Sequence, residues 1–143
     1  MDLPPRLLDA LLWLHVSGNV IWIGSILAVA LVLAGGNGEP KVRGAIASDI
    51  YRRLAVPSFV VAFLAGAVRL ASNPSFYLKV HHWMHAKLPL ALTVIALHHV
   101  IGARAKKTAA GTLQEAGPVG TLAVVLFVAA IGAAFCPIFK FPD

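Results

Sequence analysis

Histidines are the residues of this chain whose type and spacing offer the most chemistry. Five of the six lie within residues 76–107, namely His81, His82, His85, His98 and His99. Imidazole nitrogens ligate metal ions and carry protons near neutral pH. These histidines flank an apolar run that is long enough to cross a bilayer. Because polar groups are unfavourable in lipid, side chains of this kind at membrane depth indicate a functional or paired site.

A helix over residues 83–103 would position most of these side chains. It would be about 30 Å long, which matches the hydrocarbon thickness of a membrane. At about 100° per residue, His85 and His99 lie within roughly 40° of each other on one face. Lys87 and His98 lie within roughly 20° of each other on a second face. The helix therefore offers polar groups on two sides, near both of its ends.

Composition places the whole chain in a membrane. Of its 143 residues, 59% are hydrophobic and 13% are charged, which excludes an ordinary soluble domain. No strand-length alternation of polar and apolar residues is present, so the expected class is all-α. We expect a single domain over residues 1–143, an integral membrane bundle of four transmembrane helices. The expected spans cover about residues 9–34, 54–71, 83–103 and 119–139.

The net charge of +6 lies in the segments between these spans. In a membrane protein such charge indicates orientation and contact with anionic lipids rather than nucleic-acid binding. Seven Lys and Arg residues lie on one side of the bundle: Lys41, Arg43, Arg52, Arg53, Arg104, Lys106 and Lys107. Five lie on the other: Arg6, Arg69, Lys79, Lys87 and Lys140. The count favours both termini on the non-cytoplasmic side of the cell (inner) membrane.

The first span carries the remaining histidine. His15 lies about two turns inside the helix, with Asn19 one turn further on. Gly18 and Trp22 follow His15 on the same face, and Gly24 lies near the middle of the span. Small residues on one stripe allow close approach of a helix or of a flat cofactor. In lipid, His15 is best interpreted as a ligand or a hydrogen-bonded polar group.

Two arginines are candidate partners for an anionic ligand. Arg53 follows Arg52 at the start of the second span, where the pair could anchor the helix or bind carboxylates and phosphates. Arg69 falls near the end of that span on the same side as His85. It could extend to the interface or bind an anionic group there.

These residues fit some metal chemistries better than others. Zinc needs several converging ligands, and copper transport favours sulfur ligands, of which the chain has only Met1, Met84 and Cys136. A b-type haem needs one or two histidines, a flat apolar slot and cations at its rim.

By depth, His15 lies about 8 Å into its span, His85 about 3 Å and His98 about 22 Å. The depth of His85 is therefore nearer to that of His15, which makes His85 the better candidate for a second axial ligand, with His98 and His99 as alternatives. The histidine count favours one haem per chain.

The third expected span contains Trp83-Met84-His85-Ala86-Lys87-Leu88, followed by His98-His99. This pattern resembles the W-x-H-x-K-L … H-H segment of the HemJ-type protoporphyrinogen IX oxidases, which are small four-helix membrane proteins. The resemblance covers most of the chain, through Leu14-His15 with Trp22, Arg52-Arg53-Leu54 with Pro57, and Gln114-Glu115 with Pro118. It implies haem b binding and six-electron oxidation of protoporphyrinogen IX in haem synthesis. It also implies a functional set of His15, His85, Lys87 and His98, with Arg53 near them.

The expected site therefore has three parts. The expected catalytic residues are Lys87, Arg53 and His98. The cofactor is expected to contact His15, His85, Trp22 and Arg69. The expected iron ligands are His15 and His85. Besides the bilayer, the expected partners are a porphyrin substrate or a quinone-type electron acceptor, and the Gly and Ala stripes permit a homo-oligomer.

Two alternatives stay open at this point. One is a cytochrome b-like membrane electron carrier without porphyrin oxidation. The other is copper handling, because His15, Trp22 and Gly24 are similar to the first helix of CopD-like copper-resistance proteins.

Overall fold

The computed structural model of the chain describes residues 3–80 and 83–138, and all regular structure within them is helical. The helices are α1 (Pro5–Ala34), α2 (Pro40–Ile50), α3 (Val56–Ser72), α4 (Trp83–Ala109) and α5 (Val119–Phe135). Two π-helical turns, Tyr51–Ala55 and Phe76–Val80, precede α3 and α4. The expected all-helical class is confirmed for the described residues.

Within the described part of the chain, three helices are long and apolar enough to cross a membrane. They are α1, the continuous helix Pro40–Ser72 that joins α2 to α3, and α4. Helix α5 is apolar but shorter, with 17 residues. The protein is therefore membrane-embedded. In lipid a helix satisfies its own backbone hydrogen bonds, which is why these apolar stretches adopt this structure.

Helix α1 is the centre of the assembly and packs against α2, α3, α4 and α5. Its buried side chains concentrate in its second half, from Trp22 to Leu33, whereas only Gly18 is buried before Trp22. The central core includes Ile26, Val29, Tyr51, Ile101 and Leu126. The packed half of α1 thus anchors the bundle, and its N-terminal half is left more open.

Close backbone contact holds α2 against α4. A Cβ atom at Gly44 would overlap the backbone of Thr108 and Ala109. A Cβ atom at Gly102 would overlap the ring of Tyr51, which lies in the π-helical turn after α2. Glycine is therefore required at both positions for this end of the bundle to close.

The helix bounds differ from the sequence-based expectation in four places. Helix α1 begins at Pro5, because proline is well tolerated in the first turn of a helix. The second span begins earlier than residue 54: a helix begins at Pro40 and runs through the π-helical turn into α3. Helix α4 continues to Ala109 rather than ending at residue 103. Helix α5 ends at Phe135 and is followed by a turn, so it is shorter than the expected span to residue 139. His81, His82 and Lys140 lie outside the described residues.

Candidate functional site

A cleft of about 670 Å³ opens between α1, α4 and α5, beside the sparsely packed half of α1. This volume is within the range of roughly 300–1,000 Å³ that is typical of ligand sites. Most of its wall is apolar: Leu12, Val16, Val20, Ile23, Gly24 and Leu27 from α1, Ala91 and Val94 from α4, and Phe127, Ala130, Ile131, Ala133, Ala134 and Pro137 from α5 and just beyond it. Polar groups come from His15, Asn19, Trp22 and Lys87.

The ring of His15 is fixed by the backbone of α3. Its Nδ1 lies 2.7 Å from the carbonyl oxygen of Ala62. A carbonyl oxygen only accepts hydrogen bonds, so Nδ1 carries the proton and Nε2 keeps a lone pair. The amide nitrogen of Asn19 lies 3.3 Å from Nε2, at the long end of hydrogen bonding. A metal-ligating histidine is usually held in this way, with its second ring nitrogen donating to a carbonyl.

Two glycines make this contact possible. A Cβ atom at Gly66 would lie 2.7 Å from both Cε1 and Nδ1 of His15. A Cβ atom at Gly18 would lie 3.1 Å from Ala62 on the facing helix. The close approach of α1 and α3 therefore depends on residues without side chains, and this approach brings the Ala62 carbonyl to the histidine.

Lys87 contributes the cation of the cleft. It is half-buried in the first turns of α4, and it is the only Lys or Arg among the described residues that line the cleft. Its Nζ lies 5.6 Å from the ring centroid of Trp83, one turn earlier. Lys87 was expected on the same face of α4 as His98, but only Lys87 lines the cleft. His15 and Lys87 thus share one apolar cleft.

Other predicted site residues lie elsewhere. His85 is exposed, and its Nε2 lies 2.9 Å from the carbonyl oxygen of Leu78, the partner that orients its ring. Arg69 donates a hydrogen bond to the carbonyl oxygen of Leu8 and so ties the end of α3 to the start of α1. Arg53 is exposed on the π-helical turn. None of these three residues is among those that line the cleft, so the predicted ligand pair of His15 and His85 does not share its wall.

His98 is enclosed rather than open to the cleft. It is 1% exposed, and its Nδ1 accepts a hydrogen bond of 3.0 Å from Nε1 of Trp22. Its ring lies between those of Tyr51 and Phe59, with centroid distances of 4.9 and 5.1 Å. The next residue, His99, is exposed. Trp22, which was predicted to bind the cofactor, does line the cleft, and it separates the cleft from His98.

Within residues 3–80 and 83–138, no group of three or more His, Cys, Asp or Glu side chains converges on a point that could hold a metal ion. Among the described residues that line the cleft, His15 is the only nitrogen donor of this kind. Haem brings its own four equatorial nitrogens and needs only an axial ligand from the protein. One histidine therefore meets the requirement that haem makes of a protein.

Sequence reasoning did not identify the Ala62 carbonyl or the role of Gly66. The available signal was the spacing of Ala62 and Gly66, which forms a small-xxx-small stripe of the kind that brings membrane helices together. That stripe shows that a helix can approach closely, but it does not reveal which side chain of the neighbour lies against it.

No family model matches this chain, and no curated protein or solved structure matches it either. The resemblance to the HemJ-type oxidases therefore stays a prediction from the sequence.

Proposed function

We propose that this chain is a four-span membrane protein that binds one haem b in the cleft between α1, α4 and α5. Nε2 of His15 would be the axial ligand, and the ammonium group of Lys87 would bind a propionate. The observation that carries the proposal is the presence of both side chains on the wall of one apolar cleft of about 670 Å³.

The state of His15 supports this assignment. An iron ligand must present a neutral nitrogen with a lone pair, and donation from Nδ1 to Ala62 leaves Nε2 in that form. The contact from Asn19 to Nε2 is long, so an iron ligand could replace it at little cost in free energy.

The position of Lys87 supports a ligand with an acidic end. Lys87 lies about 6 Å along α4 from Trp83, near the membrane interface. A carboxylate placed there would gain a charge-assisted hydrogen bond, while the apolar body of the ligand would pack against Val94, Ile131 and other apolar side chains of the wall. Haem b has this arrangement of groups, with both propionates on one edge of the ring.

The proposal includes a membrane placement. Helix α5, at about 25 Å, would be the fourth span, since about 17 residues is the lower limit for crossing. The excess of Lys and Arg on the side of α2 and of the α4–α5 connection favours both termini outside the cytoplasm, in the cell (inner) membrane.

Bound haem would supply a one-electron redox centre. The resemblance to HemJ-type proteins gives a second candidate, the oxidation of protoporphyrinogen IX, in which six electrons and six protons would pass to three equivalents of a membrane quinone. The cation of the cleft is compatible with both candidates, because an ammonium group binds a porphyrinogen carboxylate as well as a haem propionate. Lys87 would bind the carboxylate of whichever porphyrin occupies the cleft.

An absorption spectrum of the detergent-purified protein tests haem binding. We expect a Soret band in the wild type, its loss in His15→Ala, and its retention in His99→Ala, which removes an exposed imidazole from α4. His85→Ala tests the second predicted ligand, and we expect it to retain haem, since His85 does not line the cleft. Failure of the wild type to retain or take up haemin would overturn the proposal, and copper in elemental analysis would then favour the copper-handling alternative.

Complementation of a bacterial strain that lacks protoporphyrinogen oxidase tests the enzymatic candidate. We expect the wild type to restore growth and Lys87→Met to restore it poorly. Growth that is not restored by a haem-loaded wild-type protein would leave electron transfer as the function.

A further inference from the structure

Trp22 lies at the boundary between the cleft and the core of the bundle. Its ring lines the cleft, yet only 6% of the residue is exposed. In a membrane-embedded bundle an indole N–H has little water to bind, so it needs a partner within the protein. That partner is Nδ1 of His98, at 3.0 Å.

The ring of His98 is itself held firmly. Tyr51 and Phe59 lie against it with interplanar angles of 30° and 32°. The ring of Tyr51 in turn lies on Gly102, where no Cβ atom fits. Because Nδ1 accepts from the indole, the proton of neutral His98 is on Nε2. The fold therefore presents one lone pair to Trp22 in a fixed direction.

We propose that His98 is a positioning residue, which holds the indole of Trp22 in place as part of the inner wall of the cleft and so sets the width of the ligand slot. It acts through Trp22 and does not contact the ligand. Without an acceptor at position 98, the buried N–H would lose its partner, and the indole would turn toward the polar groups of the cleft, such as Asn19. This inference rests on the proposed function only for the identity of the ligand.

The test combines two measurements on the full chain in detergent. The first is the resonance of the Trp22 indole N–H in ¹⁵N-labelled protein without ligand, and the second is the affinity for haemin. His98→Leu removes the acceptor, His98→Gln restores one through its amide oxygen, and His99→Leu is the matched control at the neighbouring exposed position. Unchanged indole resonances of Trp13 and Trp83 show that the variants are folded.

We expect His98→Leu to move the Trp22 resonance and to weaken haemin binding about tenfold, the effect of losing one buried hydrogen bond. His98→Gln should recover most of the affinity, and His99→Leu should leave both readouts unchanged. In a Trp22→Phe background, which has no N–H to position, His98→Leu should have no further effect on affinity.

A Trp22 resonance that does not move in His98→Leu would overturn the inference, as would a His98→Gln variant that behaves like His98→Leu. If His98→Leu does not fold, His98→Gln and the Trp22→Phe pair decide the question. If the wild type binds no haemin, the proposed function fails, whereas the resonance of the ligand-free protein still tests the positioning role.

Discussion

Two histidines within the membrane-spanning helices of this protein are used in opposite ways. His15 donates from Nδ1 to the Ala62 carbonyl and keeps the lone pair of Nε2 at a cleft wall. His98 accepts at Nδ1 from Trp22 and is enclosed by aromatic rings. The partner of each ring decides its chemistry: a carbonyl leaves a nitrogen able to bind iron, whereas an indole N–H occupies the lone pair.

The glycines beside these rings extend the comparison. Gly66 makes room for the ring of His15 at the open end of the bundle, and Gly102 makes room for Tyr51 at the packed end. A methyl group at position 66 should disturb the ligand site, and a methyl group at position 102 should disturb the core. Gly66→Ala and Gly102→Ala test this difference, and substitutions of Lys87 and Arg69 test which cations belong to the ligand site.

Gly66→Ala should have the largest effect. Its Cβ atom would lie 2.7 Å from the ring of His15, which would have to leave the Ala62 carbonyl and misplace Nε2. We expect haemin affinity to fall about 100-fold, measured by spectroscopic titration. Gly120→Ala is the matched control, because a Cβ atom there meets nothing within 4 Å. Wild-type affinity in Gly66→Ala would show that the position of His15 is not critical.

Gly102→Ala should affect stability more than binding. The added methyl group overlaps the Tyr51 ring, and overpacking of a core typically lowers the free energy of unfolding by about 1–3 kcal/mol. Unfolding in mixed micelles measures this change. We expect haemin affinity to fall less than in Gly66→Ala. If Gly102→Ala weakened haemin binding more than Gly66→Ala, the ligand site would lie near Gly102 rather than near Gly66.

Lys87→Met should weaken haemin binding by about tenfold, since a hydrogen bond to a charged group contributes about 1.5–3 kcal/mol before solvent screening. Lys87→Arg, which keeps the charge, should recover part of the loss. The dimethyl ester of haemin, which has no free carboxylate, should bind wild type and Lys87→Met equally. If Lys87→Met lost the same affinity for haemin and for its dimethyl ester, Lys87 would not bind the carboxylate.

Arg69→Leu should have the smallest effect on the ligand. Arg69 donates to the Leu8 carbonyl and does not line the cleft. We expect haemin affinity within about twofold of wild type and a loss of about 1 kcal/mol in the free energy of unfolding. A much larger loss of affinity would restore Arg69 to the role in cofactor binding that the sequence suggested.

The sequence predicted the helical class and most helix positions, because apolar length determines which segments can cross lipid. It also placed His15, Trp22 and Lys87 in a ligand site, and these three do line one cleft. The sequence did not predict how the helices are arranged relative to one another. For Arg69, the sequence did not predict the hydrogen bond that its guanidinium donates to the Leu8 carbonyl of α1.

His85 was predicted as a ligand from its depth along α4, which gives its height in the bundle but not its direction around it. The carbonyl that binds its ring belongs to Leu78, in a π-helical turn that hydropathy does not predict. His98 was likewise expected to be catalytic, and its enclosure depends on rings from α1, α3 and the first π-helical turn.

If the imidazole of His15 itself holds the iron, free imidazole should be able to take its place. His15→Gly leaves a gap in the cleft wall that exogenous imidazole can enter. This variant should bind haemin poorly alone, and added imidazole should restore a Soret band close to that of wild type. Haemin binding by His15→Gly at wild-type affinity without imidazole would show that another group holds the iron.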